Sequence, residues 1–185
     1  MRLFTGLDLP GEVETQLDRL LKELRPKAHI NWSPVANLHV TTKFIGEWPE
    51  ARLAELISAL QAVPKPAAPM KIAIRGAGWF PNPHQPRVLF AGIEIQPEGS
   101  LHELARATDA ACAAIGVPPE QKPYKPHLTL ARIKGGQDIA EVRRALAGRP
   151  SLEFGEFTPA SYFLYRSAPG PRGSVYTKLS EFPLA

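Results

Sequence analysis

Asn37-Leu38-His39-Val40-Thr41-Thr42-Lys43-Phe44-Ile45-Gly46 is rich in β-branched and aromatic residues and predicts a strand. Its centre, His39-Val40-Thr41-Thr42, returns in the second half of the chain as His127-Leu128-Thr129-Leu130, inside another strand-like run over 127–133. Side chains two apart on a strand share a face, so each histidine stands beside its own threonine. The surroundings repeat as well. Residues 2–9 alternate as a strand, and 11–25 place Val13, Leu17, Leu20, Leu21 and Leu24 at helical intervals. A helix over about 50–62 follows the first motif, then prolines 64, 66 and 69, then a strand over 70–80. In the second half a strand over 87–95 leads to an alanine-rich helix over 99–115. The second motif strand and a helix over about 138–147 come next. Residues 152–166 supply two strands and 175–183 the last.

Strand, helix, motif strand, helix and strand thus occur twice. The pattern predicts an α+β fold built from a duplicated unit, its two lobes related by a pseudo-two-fold axis and its motifs on opposite walls of one cleft. Two antiparallel-rich sheets with helices on their outer faces suit this best; a ferredoxin-like or doubly wound sheet is the alternative. At 185 residues the chain fits one domain over 1–185, because the proline stretch at 63–69 is too short to separate independent units.

Composition narrows the classes. With 44% hydrophobic and 22% charged residues the chain is ordinary globular protein. No apolar stretch nears the roughly 20 residues that span a bilayer, and the N-terminus shows no secretory signal, so a cytoplasmic protein without membrane partners is expected. The lone Cys112 lies in the alanine-rich helix and is expected as a small buried hydrophobe. A net charge of +4 permits an anionic partner. Cations gather locally at Lys122/Lys125, Arg143/Arg144 and Arg166/Arg172, without a like-charge block.

Two imidazoles facing one cleft suit phosphodiester chemistry: one accepts a proton from water while the other protonates the leaving alkoxide. Threonine hydroxyls can donate to the phosphoryl oxygens where charge builds. A metal site is the chemical competitor, but zinc normally needs a third protein ligand, and no acidic residue or cysteine cluster flanks either motif. Asp8 could enter the cleft, although capping the turn after the first strand is its simpler role. His29, His84 and His102 read as surface histidines. No phosphate-binding glycine loop and no Gly-x-Ser-x-Gly is present.

These segments are familiar together. Arg2-Leu3-Phe4, Leu7-Asp8-Leu9-Pro10, the run over 37–46, Pro86-Arg87-Val88-Leu89-Phe90-Ala91-Gly92, Pro126-His127-Leu128-Thr129-Leu130-Ala131-Arg132 and the ending Val175-Tyr176-Thr177 with Phe182-Pro183-Leu184 resemble the 2H phosphoesterase superfamily. Within it they are most similar to the bacterial and archaeal RNA 2′,3′-cyclic phosphodiesterases, once called 2′-5′ RNA ligases. The resemblance implies a bilobal fold with a central cleft. It also implies hydrolysis of an RNA-terminal 2′,3′-cyclic phosphate to a 2′-phosphomonoester without metal or cofactor. By position His39 would protonate the leaving 3′-oxygen, His127 would activate water, and Thr41 and Thr129 would hold the phosphate oxygens. Lys125 falls where such enzymes often carry a basic phosphate contact, with plain surface charge as the alternative. Phe44 could stack on a base, although core packing is the expectation. Arg132 needs a bend or bulge to reach the cleft. Two departures stand out: Arg166-Ser167-Ala168-Pro169 where relatives often read Glu-Ser-x-Leu, which would alter charge near the cleft, and Thr42 where an apolar residue is frequent. A non-catalytic RNA-end binding module and 2′-5′ RNA ligation through the same histidines are the competing functions. RNA with a cyclic phosphate end is the expected partner, and a monomer the default state.

Overall fold

The periodicities translate closely into elements. The computed structural model describes all 185 residues. In chain order they form β1 (Arg2–Leu7), α1 (Gly11–Leu24), β2 (Asn31–Trp32), β3 (Val40–Glu47), α2 (Leu53–Gln61), β4 (Lys71–Phe80), β5 (Val88–Gln96), α3 (Ser100–Ala114), β6 (His127–Arg132), α4 (Ala140–Ala147), β7 (Glu153–Phe157), β8 (Ser161–Gly170) and β9 (Gly173–Pro183). The five apolar residues that predict α1 are the five that it buries; each such side chain contributes roughly 1.5–3 kcal/mol when fully buried. The short β2 escapes the sequence reading because two residues carry no period.

Two antiparallel sheets result, ordered β3-β1-β8-β9 and β2-β6-β5-β4-β7. The fold is therefore the α+β duplicated architecture, and the doubly wound alternative falls because every pairing is antiparallel. The halves exchange strands. β4, from the first half, completes the sheet holding the second motif, while β8, from the second half, completes the sheet holding the first. The helices cross over too: α1 packs on β7 and α3 on β3. One contiguous cluster of 36 buried residues follows from that crossing. Cys112 lies in it, fully buried, and burial pushes its thiol up to about 11. No helix is long and apolar enough to cross a membrane.

β3 is bolted to α3 through a buried charge. Lys43 Nζ donates to the Pro118 carbonyl (3.0 Å) and pairs with Asp109 (2.6 Å), its side chain only 4% exposed. An ammonium buried this deeply needs its partner. Asp109→Ala is therefore expected to destabilise the fold by on the order of 3 kcal/mol, read as a lower urea midpoint. Lys43→Met, which removes the charge and keeps the apolar stem, should cost less; an equal cost in both variants would assign the loss to packing instead.

Candidate active site

Each motif histidine is held in the same way. His39 Nδ1 lies 2.7 Å from the Asn37 carbonyl, and His127 Nδ1 lies 2.7 Å from the Lys125 carbonyl. A carbonyl can only accept, so both rings carry a proton on Nδ1 and keep Nε2 for chemistry. His39 Nε2 is 2.9 Å from Thr41 Oγ1; with the ring neutral, the hydroxyl donates. The visible structural role of Lys125 is thus its main chain, while its side chain is exposed.

Both motif strands bulge immediately after the threonine. Against β1, Gly6 faces Thr41 and Thr5 faces Lys43, leaving Thr42 as the extra residue. Against β5, Phe90 faces Thr129 and Leu89 faces Ala131, leaving Leu130 extra. A one-residue bulge reverses the alternation beyond it. Hence Thr42 and Lys43 are both buried, as are Leu130 and Ala131, and the next residues, Phe44 and Arg132, rejoin the faces of Thr41 and Thr129. The bulge that Arg132 requires is present. Phe44 is 57% exposed rather than packed in the core, because the same shift takes it off the buried face. Thr42 does face away from His39; its hydroxyl meets that of Thr5 at 2.6 Å within the core.

Aromatic rings wall in both imidazoles. Phe4 stacks on His39 at 4.6 Å between centroids, and Tyr176 meets it edge-on at 5.2 Å. Phe80 and Phe90 meet His127 edge-on at 4.9 and 5.8 Å. Two glycines allow close approaches beside these rings. A Cβ on Gly6 would come within 2.9 Å of the Val40 carbonyl oxygen, beside His39, and one on Gly78 within 2.3 Å of Phe90 Cζ.

A cavity of about 460 Å³ opens beside His39, lined among others by Asp8, Asn37, Tyr165, Tyr176 and Lys178. Asp8 does enter it. Its carboxylate accepts from the Tyr165 hydroxyl and from Lys178 Nζ, because β9 pairs with β8 in a register that sets Lys178 opposite Tyr165. Burial lowers the His39 pKa; the Asn37 carbonyl and Asp8 oppose that, and the charges of Arg132 and His127 reinforce it. The second motif therefore lies within electrostatic reach of the first. Tyr124, in the loop before β6, ties them mechanically by donating its hydroxyl to the Thr41 carbonyl (2.7 Å). Arg166, by contrast, pairs with Leu3 on the far face of β8, so its charge does not enter the cleft.

Tyr124, Tyr165, Tyr176 and Lys178 escape the sequence reading. Strand register brings Tyr165, Tyr176 and Lys178 to the site and the loop before β6 brings Tyr124, and no spacing in the chain encodes either. Of the remaining histidines, His84 sits in an exposed loop and His102 on the exposed side of α3. No three or more His, Cys, Asp or Glu side chains converge.

Comparison with known proteins gives one consistent answer. A family model described as LigT like Phosphoesterase matches twice, over 7–90 and 93–176, one match for each motif. An RNA 2′,3′-cyclic phosphodiesterase of Thermus thermophilus is 37% identical over all of this chain and 90% of its own length. One of Methanothermobacter thermautotrophicus is 31% identical over all of this chain and 99% of its own. A crystal structure from Thermus thermophilus superposes with a TM-score of 0.79 at 36% identity, covering 100% of this chain and 98% of that one.

Proposed function

Since this chain belongs to the LigT-like phosphoesterase family, we propose that it hydrolyses RNA-terminal 2′,3′-cyclic phosphates to 2′-phosphomonoesters by passing protons between His39 and His127. The observation that carries the reading is the matched pair of Nδ1–carbonyl bonds, which turns Nε2 of both rings to chemistry, on residues near enough for the charge of His127 to act on His39. In this reading His127 Nε2 takes a proton from the attacking water. The water oxygen bonds to phosphorus, the P–O3′ bond breaks, and His39 Nε2–H gives its proton to O3′, so the proton count balances across the pair. Thr41 and Thr129 donate to the non-bridging oxygens, where charge develops. Arg132 and the Lys125 side chain add positive charge, and Phe44 offers its exposed ring to a base. No metal is assigned a role. The chain acts as one bilobal unit over 1–185, a monomer in the cytoplasm with RNA as its partner.

The reaction is tested with an oligoribonucleotide ending in 2′,3′-cyclic phosphate, in EDTA. A 2′-phosphate product supports the reading, and intact substrate despite binding would move the chain to RNA-end recognition. The direction of proton flow needs a separate measurement, because exchanging the two roles leaves the pH profile unchanged. A substrate with sulfur in place of O3′ has a leaving group that needs no proton. His39→Ala should recover most of its lost rate on it and His127→Ala none; the opposite pattern would reverse the roles.

A further inference from the structure

A second cavity, of about 570 Å³, lies at the far end of β6, where His29, Asn31, Arg87, Arg132 and Lys134 line it together with Gln137. It contains no acidic residue. Elsewhere Lys43, Arg52, Arg75, Arg149 and Lys178 hold carboxylates. Arg87, Arg132 and Lys134 hold none, and they converge on this one cavity.

The cavity is built rather than a chance meeting of surface chains. Arg132 pairs with Val88 on one side and Asn31 on the other. The Ile133 amide donates to the Arg87 carbonyl (2.8 Å), the Lys134 amide to Gln137 Oε1 (2.7 Å), and Gln137 Nε2 to the His29 carbonyl (3.0 Å). The side chain of Arg87 lies over Gly135. Arg132 is the link to the chemistry, because the bulge at Leu130 sets it on the face of Thr129 while it also lines this cavity.

We propose that this cavity is a subsite for the RNA chain leading to the reacting end, with Arg87 and Lys134 holding the phosphodiesters next to the terminal cyclic phosphate. The inference rests on the proposed function and adds a preference: an oligonucleotide end over a free nucleoside cyclic phosphate. Unpaired cations at fixed spacing recognise a phosphate chain, and binding through them weakens with salt.

The experiment is the double variant R87Q/K134Q in the full chain, both positions being exposed. It is assayed on a short oligoribonucleotide with a 2′,3′-cyclic end and on a nucleoside 2′,3′-cyclic monophosphate. On the oligonucleotide kcat/KM should fall roughly tenfold, and its dependence on log salt should become shallower by roughly 0.7 for each charge removed. On the mononucleotide it should hold, which also certifies the fold. Equal losses on both substrates, or none on the oligonucleotide, would overturn the subsite. If the wild-type chain hydrolyses neither substrate, the proposed function is what fails. Fluorescence anisotropy of a 5′-labelled oligoribonucleotide then decides the subsite. Weaker binding with a shallower salt slope in the variant upholds it, and unchanged binding rejects it.

Discussion

His127→Ala is expected to lower kcat/KM on a cyclic-phosphate RNA end by on the order of 10³-fold, within the range typical of a lost general acid or base. His39→Ala should fall in the same range on the ordinary oxygen substrate. The double variant should cost little more than either single one, because in the proposed mechanism the two rings move one proton each in a single displacement and act as a unit. Additive losses would show that the histidines work independently. The pH profile follows from the site. Burial keeps His39 below the ordinary imidazole value of 6.5, with the Arg132 and His127 charges adding to it against Asn37 and Asp8. The lower macroscopic pKa of the pair therefore lies below that value. As pH falls through it both rings become cationic, no base remains for water, and the rate drops. The acidic limb should lie below pH 6.5; His39→Ala, which removes the acid and keeps the base, should retain an acidic limb and lose the alkaline one.

Thr129→Val is expected to cost about 10²-fold in kcat with little change in KM, the size of a lost donor to a developing oxyanion. Valine keeps the volume and branching, so the strand holds while the hydroxyl goes. Thr41→Val should lose a similar factor, with one difference. The Thr41 hydroxyl is bonded to His39 Nε2, so its removal should also move the acidic limb, whereas Thr129→Val should leave that limb in place. If kcat holds and KM rises instead, the threonines bind the ground state and the transition state alike.

Much of this architecture is legible in the chain because it rests on local period. The spacing of Val13, Leu17, Leu20, Leu21 and Leu24 gives α1 and its buried face. The recurrence of His-x-Thr gives the duplication and the four residues proposed at the centre of the site. Fates governed by the bulges are harder to read. Phe44 looks like core on simple alternation, and Arg132 looks excluded from the cleft. One extra residue in each strand sends both to the cleft face, and Thr42 and Leu130 carry no composition that announces a bulge. Hardest of all are Tyr165, Tyr176 and Lys178, since the register of β8 on β1 and of β9 on β8 is set by partners far apart in sequence.

The strand exchange has a consequence for how the molecule comes into being. β1 pairs with β8 from Arg2 opposite Ser167 to Gly6 opposite Phe163, joining two strands that have β2 to β7 and α1 to α4 between them in sequence. Until β8 emerges, β1 keeps an open edge able to pair with other chains, and the wall of the cleft that carries Tyr165 does not exist. Long-range closure of this kind slows folding. A nascent chain stopped after the second histidine motif would hold every residue named for proton transfer and still lack the β8–β9 half of the sheet, with Tyr165 and Tyr176 beside His39, so the walled site arrives only with the last hairpin.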